Sequence, residues 1–485
     1  MSVSTEQLVA DWRYRVSWTP LAVNAHDGVP GDWLLLLPPA AAVPPAARLA
    51  DACAQALTRA GATVRRVEVD GLAPEAALPT AQQAVWAGGA APAGMLSLLG
   101  LDERPRADHP AVTAGLAATL ALIRSLGEAA APAPLWCVTS GAVSVGPEDL
   151  LTAPLQAQVW GLGRVAALEH PDRWGGLLDL PAAAVWDTGV ADRLLGVLAG
   201  CGEDQVAVRA ERAFARRVAR AAPVAAGARS RWQPRGTVLI TGGTGALGGD
   251  LARWAAGHGA EHLVLTGRRG PAAPGAAELR AELERAGARV TVAACDVADR
   301  EALARVLREV PPELPLTAVV HTAGVDRAAA LADTDLATLA HAITAKVAGG
   351  AHLDELVGDT PLDAFLVFSS IAGIWGGGGG LGAYSAANAY LDALVARRRG
   401  RGLAGGAFAW GPWADQGMAA DNPEHSAQLN RLGLTSMPPA AAMAALELSL
   451  AGTDPDVVIA EVEWERFALA FTYVRPSPLL AELAE

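Results

Sequence analysis

The stretch that decides the fold begins with Phe368-Ser369-Ser370-Ile371. After a glycine-rich connection it ends with Tyr384-Ser385-Ala386-Ala387-Asn388. The first segment is typical of the end of a buried strand and the second of the start of a helix, so a serine hydroxyl faces a tyrosine. Such a pair can reduce a carbonyl: the serine holds the substrate oxygen while the phenol supplies a proton as hydride reaches carbon. A phenol with an ordinary pKa near ~10 is a weak acid at neutral pH, so the site requires a nearby cation.

Lys346 is the candidate for that cation. The residue four positions after Tyr384, where such sites commonly carry a lysine, is Asn388. Among the 38 Lys and Arg residues of the chain, Lys346 is the only lysine, and lysine differs from arginine in being a compact point charge with a tunable pKa. It falls in a helix predicted over 335–357, where it either extends to solvent or is aimed into a site. The absence of a lysine beside the tyrosine favours the second interpretation.

The composition indicates a globular protein of two to four domain-sized units, with 52% hydrophobic and 18% charged residues. The net charge of -13 argues against nucleic acid as a partner, because phosphate binding requires a basic face, but it allows a small basic patch for an acidic carrier. No secretory signal and no uninterrupted run of about 18 apolar residues is present, so we expect a cytoplasmic protein without a membrane partner. The cysteines form no CxxC pair, and we expect free thiols and no metal site at Cys53, Cys137, Cys201 and Cys295.

The first half of the chain alternates strand and helix patterns, beginning with a half-buried strand over 13–18 and a buried strand over 33–37. This alternation is typical of strand–helix–strand units and a mostly parallel sheet. Prolines occupy the next loop, where a phosphate cradle would need backbone N–H groups: Pro38, Pro39, Pro44 and Pro45. We therefore predict a nucleotide-binding architecture without a nucleotide, which acts as a structural support.

The second half begins after a linker predicted over 221–234. A buried strand over 237–240 leads into a glycine-rich turn and a helix, which is the context that a dinucleotide-binding fingerprint requires. The glycines allow a pyrophosphate to approach a helix N-terminus closely. We assign cofactor contacts to Thr241, Gly242, Gly243, Thr244, Gly245 and Leu247.

Later strand ends extend the predicted cofactor site. Arg268 and Arg269 follow the strand over 262–266, where an acidic residue would suit NAD and arginines suit the 2′-phosphate of NADP; the alternative is a solvated basic turn. His321 is expected to be a hydrogen-bonded strand-end residue rather than a catalytic base. Four further contacts are placed at the adenine and ribose: Asp296, Val297, Ala323 and Gly324.

The turn after the strand over 408–410 has a shape that suits the flank of a nicotinamide. Gly411 and Pro412 are assigned to the cofactor there, together with Ser369 on the preceding strand. Residues 414–437 are polar and mixed, which predicts a lid over the substrate. A final helix over 440–450, a strand over 457–462 and a tail from 475 complete the chain.

These motifs together resemble the ketoreductase domain of modular type I polyketide synthases, a branch of the short-chain dehydrogenase/reductase superfamily. The resemblance extends over essentially the whole chain and includes the strand at 14–18, the segments 158–164 and 169–171, and the ending 462–467. It implies an α/β fold of two Rossmann-like subdomains. A truncated, cofactor-free structural subdomain (1–230) precedes a doubly wound, parallel-sheet catalytic one (231–474) and a linker toward the next domain (475–485).

The resemblance also implies the roles of the site residues. Tyr384 would be the proton donor and Ser370 the hydroxyl that positions the oxyanion. Lys346 and Asn388 would complete the tetrad, exchanged relative to the wider superfamily. The implied cofactor is NADPH, and the implied substrate is a β-ketoacyl chain on the phosphopantetheine of an acyl carrier protein, which would become a β-hydroxyacyl thioester. The other domains of the synthase are the further partners implied.

The handedness of the product follows from the same resemblance. Members that give the D-hydroxyl share a Leu-Asp-Asp triplet that this chain lacks at 325–328, whereas members that give the L-hydroxyl carry a tryptophan five residues after the serine, as Trp375 does here. We therefore expect the L-hydroxyl. Leu381 stands where a histidine marks selection of an L-configured α-methyl, so a D-methyl or unbranched chain is expected. Trp413 and Met418 are further candidate substrate contacts.

Three other functions stay open at this point. A redox-inactive or epimerising scaffold domain typically loses the tyrosine, the asparagine or the cofactor glycines, and all of them are present here. A free-standing carbonyl reductase would share the chemistry, but the large structural half and the tail favour a domain of a multidomain synthase. A module that only binds a carrier protein would fail to bind NADPH.

Overall fold

A continuous β-sheet of 15 strands carries both halves of the chain. The computed structural model describes residues 5–23, 28–73, 91–129, 133–225, 228, 230, 232–325, 328–378, 380–414, 423–473 and 475–483. The strands of this sheet are β1 Arg13–Leu21, β2 Gly31–Leu37, β3 Ala62–Glu68, β4 Gly94–Ser97, β5 Leu135–Thr139, β6 Trp174–Asp179, β7 Gln205–Val208, β8 Ala213–Arg220, β9 Thr237–Thr241, β10 His262–Gly267, β11 Arg289–Ala294, β12 Leu316–His321, β13 Ala364–Ser370, β14 Gly406–Trp410 and β16 Asp456–Ile459. A separate antiparallel pair consists of β15 Leu434–Thr435 and β17 Glu461–Val462.

Helices cover both faces of this sheet. They are α1 Thr5–Ala10, α2 Pro44–Arg59, α3 Ala114–Ala129, α4 Ala157–Glu169, α5 Thr188–Leu198, α6 Ala246–Gly257, α7 Ala276–Arg285, α8 Arg300–Arg308, α9 Leu336–Val357, α10 Ile371–Trp375, α11 Gly382–Gly400, α12 Pro423–Arg431, α13 Pro439–Ala451 and α14 Trp464–Thr472. Short 3-10 helices occur at Leu99–Leu101, Pro154–Gln156, Pro171–Arg173, Ala183–Val185, Gly270–Ala272, Leu331–Asp333 and Pro478–Leu483.

The second half forms the doubly wound parallel sheet that the sequence predicts. Its strands lie in the order β11-β10-β9-β12-β13-β14-β16, and each neighbouring pair is parallel. The order reverses at β9, so the crevice above the carboxyl ends of β9 and β12 is the expected ligand position of such a sheet. Parallel strands are covered on both faces, and β9 and β13 are accordingly buried along their whole length.

The first half repeats this plan in truncated form. Its strands lie in the parallel order β3-β2-β4-β5-β6-β7. The helix after β2 begins at Pro44, and its N-cap residue, Val43, makes no side-chain capping bond. Prolines at the first helical turn lack the N–H groups that would face a phosphate, which fits the predicted structural role of this half.

Strand β1 joins the two halves into one sheet. It pairs antiparallel with β8 from Tyr14 to Leu21 and antiparallel with β16 through Arg13 and Tyr14. Val9 and Trp12, just before it, belong to the apolar core of the second half. The sequence predicts β1 but not this position between the halves, because strand pairing over hundreds of residues leaves no local pattern.

The helix layers of the two halves also pack against each other. Helix α4 of the first half lies against α11 of the second, and a Cβ added at Gly161 would stand 2.2 Å from the Ser385 carbonyl oxygen. Residues 475–483, expected to be part of a linker, instead pack on the first half. Arg475 donates to the Trp174 carbonyl at 2.7 Å, and Leu479 is 1% exposed.

Candidate active site

The candidate site lies at the carboxyl edge of the parallel sheet. The strand register places Thr241 beside His321 and Thr266, and Ser370 beside Trp410. The loops that follow these positions therefore open at one edge, as the sequence pattern predicts for a doubly wound sheet. Helix α11, which carries the tyrosine, follows β13 and the short helix α10 directly above this edge.

Lys346 points into the site and not toward solvent. Its side chain is 4% exposed, its Nζ donates to the Phe368 carbonyl at 2.8 Å, and the same Nζ lies 6.0 Å from the ring centroid of Tyr384. Burial lowers the pKa of this ammonium to about 8, and the negative charge of Asp392 opposes the shift. Gly324 leaves room for the lysine stem, since a Cβ there would meet Lys346 Cε at 2.7 Å.

Asn388 stands one helical turn after Tyr384 and is fully buried. Its Nδ2 donates to the Tyr384 carbonyl at 2.7 Å, which ties the amide to the first turn of α11. The Oδ1 atom has no hydrogen-bond partner in the part of the chain that the structure describes. A buried acceptor without a partner is costly in an apolar interior, so it indicates a position built to accept a hydrogen bond from a group that enters the site.

The two serines at the end of β13 face different surroundings. Ser370 Oγ accepts a hydrogen bond from the Ala372 N–H at 3.2 Å and caps α10, which leaves its own O–H free to donate to a substrate oxygen. Ser369 follows Val367 on the face covered by helices, and its hydroxyl lies beside the carboxyl of Asp392. Ser369, predicted as a cofactor contact, is 4% exposed.

Asp392 is a partly buried acid whose Oδ1 is shielded from solvent, and the sequence reasoning missed it. Burial raises its pKa to about 7, while the Ser369 hydroxyl and two arginines, Arg164 and Arg216, act in the opposite direction. The available signal was an acid one turn after Asn388 in an otherwise apolar stretch of α11. A lone acid in a helix is usually solvated, and only the packing of the first half against α11 shows that this one is not.

The glycine-rich turn after β9 has the shape of a phosphate cradle. Gly242 has φ +70°, and a Cβ there would stand 2.9 Å from the backbone of Ala323. A Cβ at Gly248 would stand 2.3 Å from the Gly242 carbonyl oxygen. Helix α6 follows with Gly245 as its N-cap, so its first amides face the turn. His321 holds the cradle from behind through a 2.7 Å hydrogen bond between its Nδ1 and Thr241 Oγ1.

The remaining predicted cofactor residues surround this cradle. Arg268 and Arg269 are exposed, and neither side chain pairs with a carboxylate in the described ranges. Asp296 is also exposed, and its Oδ1 accepts from the Ala298 N–H at 3.0 Å. Four others occupy partly or fully buried positions: Gly243, Thr244, Leu247 and Val297.

The predicted substrate contacts are more deeply packed than expected for an open wall. Trp375 is 2% exposed, and its ring lies 5.9 Å from that of Trp464. Trp413 is 3% exposed and packs edge-on against Trp410 at 5.0 Å. Leu381 is partly exposed at the start of α11.

The remaining predicted residues lie in the turn at Gly411 and Pro412 and in the predicted lid over 414–437. The Gly411 N–H donates to Ile459 and the Pro412 carbonyl accepts from Met437, both at 2.8 Å, which fixes the turn predicted beside the nicotinamide. Met418 and the first part of the predicted lid, residues 415–422, lie outside the described residues, which resume in helix α12.

Neither a metal-ligand cluster nor a membrane-spanning helix occurs among the described residues. No group of three or more His, Cys, Asp or Glu side chains there is arranged to hold a metal ion. None of the helices that the structure describes has the length and apolar character needed to cross a membrane.

Comparison with known proteins agrees with this fold. A family model described as a KR domain matches residues 236–415, and one described as the Rossmann fold domain of polyketide synthase extender module SpnB matches residues 16–218. Polyketide synthase GfsA of Streptomyces halstedii is 51% identical over 98% of this chain and 6% of its own length. Pikromycin polyketide synthase component PikAIII of Streptomyces venezuelae is 46% identical over 98% of this chain and 29% of its own length.

Solved structures match along nearly the whole chain. One described as A-type ketoreductases from a modular polyketide synthase has a TM-score of 0.92 at 46% identity and covers 99% of this chain and 98% of its own. A C2-type ketoreductase from a modular polyketide synthase has a TM-score of 0.89 at 44% identity, with 98% and 97% covered.

The chain therefore belongs to the ketoreductases of modular polyketide synthases, oxidoreductases that reduce a β-keto group with a nicotinamide cofactor. It spans 6% of GfsA and 29% of PikAIII, both of which are much longer proteins.

Proposed function

We propose that this ketoreductase uses NADPH to reduce a β-ketoacyl thioester, held on the phosphopantetheine of an acyl carrier protein, to the L-β-hydroxyacyl thioester. The observation that carries the proposal is the buried ammonium of Lys346 beside Tyr384 at the sheet edge that also holds the glycine cradle. The division into a structural part (1–230), a catalytic part (231–474) and a terminal segment (475–485), a cytoplasmic location and contacts with other synthase domains belong to the same proposal.

The tetrad divides the chemistry among its four side chains. Ser370 donates its O–H to the ketone oxygen, and Tyr384 transfers its phenolic proton to that oxygen as the alkoxide forms. When bound, NADPH supplies the hydride for the β-carbon. Lys346 stabilises the phenolate through its charge, while its bond to the Phe368 carbonyl fixes the ammonium in place. Asn388 holds the first turn of α11 through the Tyr384 carbonyl.

The preference for NADPH over NADH rests on the arginines after β10. Arg268 and Arg269 are exposed side chains without a carboxylate partner in the described residues, so a phosphate does not have to displace an existing ion pair. Their position at the strand next to the glycine cradle is the place where the ribose 2′ position of a dinucleotide lies in such sheets. Guanidinium groups bind phosphate oxygens in a fixed, bidentate geometry.

The L-configuration is proposed from Trp375 and its surroundings. The indole packs against the rings of Trp464 and Phe467, so the turn after Ser370 has little freedom to move. A fixed turn at Trp375 would block entry of the acyl chain past Trp375, so the chain would enter from the other side of the site. The side of entry decides which face of the ketone receives hydride. Discrimination of this kind depends on differences in transition-state binding.

The test is NADPH consumption with a short 2-methyl-3-ketoacyl thioester, followed by chiral chromatography of the product. We expect NADPH oxidation and an L-hydroxy product from the wild type, and loss of most turnover with retained NADPH binding in Tyr384→Phe. Wild-type-like turnover in this variant would refute the assigned proton donor. A D-hydroxy product would leave the reductase and remove the role given to Trp375. NADPH binding without consumption would indicate an epimerising or scaffold domain.

A further inference from the structure

The one-turn helix α10 connects the serine of the site to Trp375, and its C-terminal carbonyls need partners from elsewhere. A helix of five residues leaves most of its carbonyl groups without intrahelical donors. The Gly376 N–H satisfies the Ala372 carbonyl at 3.0 Å. The next two carbonyls, of Gly373 and Ile374, are satisfied by side chains of the first half of the chain.

Two buried arginines supply those hydrogen bonds. Arg164 on α4 donates through Nη1 to the Gly373 carbonyl, and Arg216 on β8 donates through Nη1 to the Ile374 carbonyl at 2.7 Å. The two side chains are 7% and 5% exposed. Gln205 on β7 links them, since its Oε1 accepts from Arg164 Nε at 3.0 Å and from Arg216 Nη1 at 3.3 Å.

Burying two guanidinium groups side by side is unfavourable, so it requires compensating interactions. Burial, and then the neighbouring Arg216, lowers the pKa of Arg164, while the carboxylates of Asp392 and Asp204 oppose this. Burial likewise lowers the pKa of Arg216 to about 10. The positive charges stand where a helix C-terminus carries partial negative charge, which is a stabilising arrangement.

The turn is also confined by backbone contacts on two sides. Gly376 has φ +83°, and a Cβ there would lie 3.0 Å from the carbonyl oxygen of Arg164. A Cβ at Gly373 would lie 3.0 Å from the Cβ of Asn388. Helix α10 is thus held between α4 of the first half and α11, so a shift of α4 would move the residues that join Ser370 to Trp375.

We propose that Arg164 and Arg216 are positioning residues of the reductase: from the non-catalytic half they fix α10, and through it the placement of Ser370 and the orientation of Trp375. This rests on the proposed function of Ser370 and Trp375. The first half then does more than stabilise the fold, because its arginines set the geometry and the product configuration of a site to which it contributes no reacting group.

The test compares Arg164→Gln and Arg216→Gln with a matched control, Arg217→Gln. Arg217 is the next residue on β8, and its side chain instead pairs with Glu203, with Nη1–Oε2 at 2.8 Å. The control therefore removes a guanidinium and an ion pair from the same strand without touching α10. NADPH oxidation, the ratio of L- to D-hydroxy products and hydrogen exchange of the amides over 371–376 are measured for each protein.

We expect kcat to fall about ten- to hundred-fold in both test variants, because a displacement of about 1 Å at a reacting group has this effect. KM for NADPH should stay within about two-fold of the wild type, since the cofactor cradle is on other loops, and the share of D-hydroxy product should rise. Exchange over 371–376 should be faster than in Arg217→Gln. If folded test variants match the control in kcat, product ratio and exchange, the proposal is wrong.

Two provisions keep the outcome unambiguous. If Arg164→Gln or Arg216→Gln does not fold, Gln205→Leu removes the acceptor that links the arginines and leaves both charges in place. It should lower kcat by about three-fold or more and speed up exchange over 371–376; unchanged values would overturn the proposal. An inactive wild type would refute the proposed function instead, while the exchange comparison would still decide whether the arginines fix α10.

Discussion

Replacing Lys346 with methionine removes the charge beside the proton donor and keeps a side chain of similar length. At 6.0 Å from the tyrosine ring, with an effective dielectric constant of about 20, a unit charge stabilises a phenolate by about 2.8 kcal/mol. This corresponds to about two pKa units of the Tyr384 phenol. We therefore expect Lys346→Met to lower kcat about 100-fold and to leave NADPH binding intact.

The assay is steady-state NADPH oxidation with a 2-methyl-3-ketoacyl thioester, together with a fluorescence titration of NADPH binding. Lys346→Arg is the matched control because it keeps the charge and changes the shape. Gly324 lies so close that a Cβ there would meet Lys346 Cε at 2.7 Å, so the larger guanidinium has no room in the same position. We expect Lys346→Arg to be impaired as well, since a planar fork does not replace a point charge.

The pH dependence gives an independent check of the same reasoning. Burial lowers the pKa of Lys346 to about 8, so the ammonium is present below this pH and is lost above it. The wild-type kcat/KM should fall as the pH rises through about 8, and this limb should vanish in Lys346→Met. A methionine variant within ten-fold of the wild type, or one that keeps the alkaline limb, would show that the lysine charge does not assist the tyrosine.

Two further predictions concern the cofactor and the acid stability of the fold. Arg268→Gln combined with Arg269→Gln should lower kcat/KM for NADPH about ten- to hundred-fold and leave kcat/KM for NADH nearly unchanged. The reason is that charged hydrogen bonds to phosphate contribute about 1.5–3 kcal/mol. Equal losses with both cofactors would refute the role of these arginines at the 2′-phosphate. Burial lowers the pKa of His321 from 6.5 to about 3, so between these values the unfolded chain binds a proton that the folded chain does not, and stability falls as the pH falls. From about pH 6.5 to 4.5 the wild type should lose about 2 kcal/mol more free energy of unfolding than His321→Gln. The measurement is urea unfolding with the exposed His341→Gln as control, and parallel losses in all three proteins would contradict the assigned cause.

Local sequence patterns predicted most of the catalytic half. The buried strand and glycine turn at 237–248 and the strand–helix unit around Ser370 and Tyr384 appear where the sequence places them. The strength of these signals is physical: a phosphate cradle requires glycines at positive φ or close approach, as at Gly242, and buried parallel strands are continuous apolar runs. Boundaries moved by a few residues, and the strand predicted over 457–462 divides into β16 and β17.

Features that depend on distant parts of the chain were not predicted. Asp392 looked like an ordinary helical acid, although Arg164 of α4 and Arg216 of β8 act on the pKa of its carboxyl. The tail over 475–483 was expected to leave the domain, although Arg475 binds carbonyls of β6.

The sequence by itself determined the class of fold and the glycine-rich turn after β9, because apolar strand runs and glycine spacing are local features of the chain. The tetrad residues stay a prediction from the sequence and from its resemblance to the family. The sequence also singled out Lys346, the only lysine of the chain. Only the tertiary structure decided how the two halves cooperate: β1 completes one sheet between β8 and β16, and Arg164 and Arg216 reach across to α10. Contacts between residues some 150 to 450 positions apart follow from how packed surfaces fit together, and no local pattern in the chain encodes that fit.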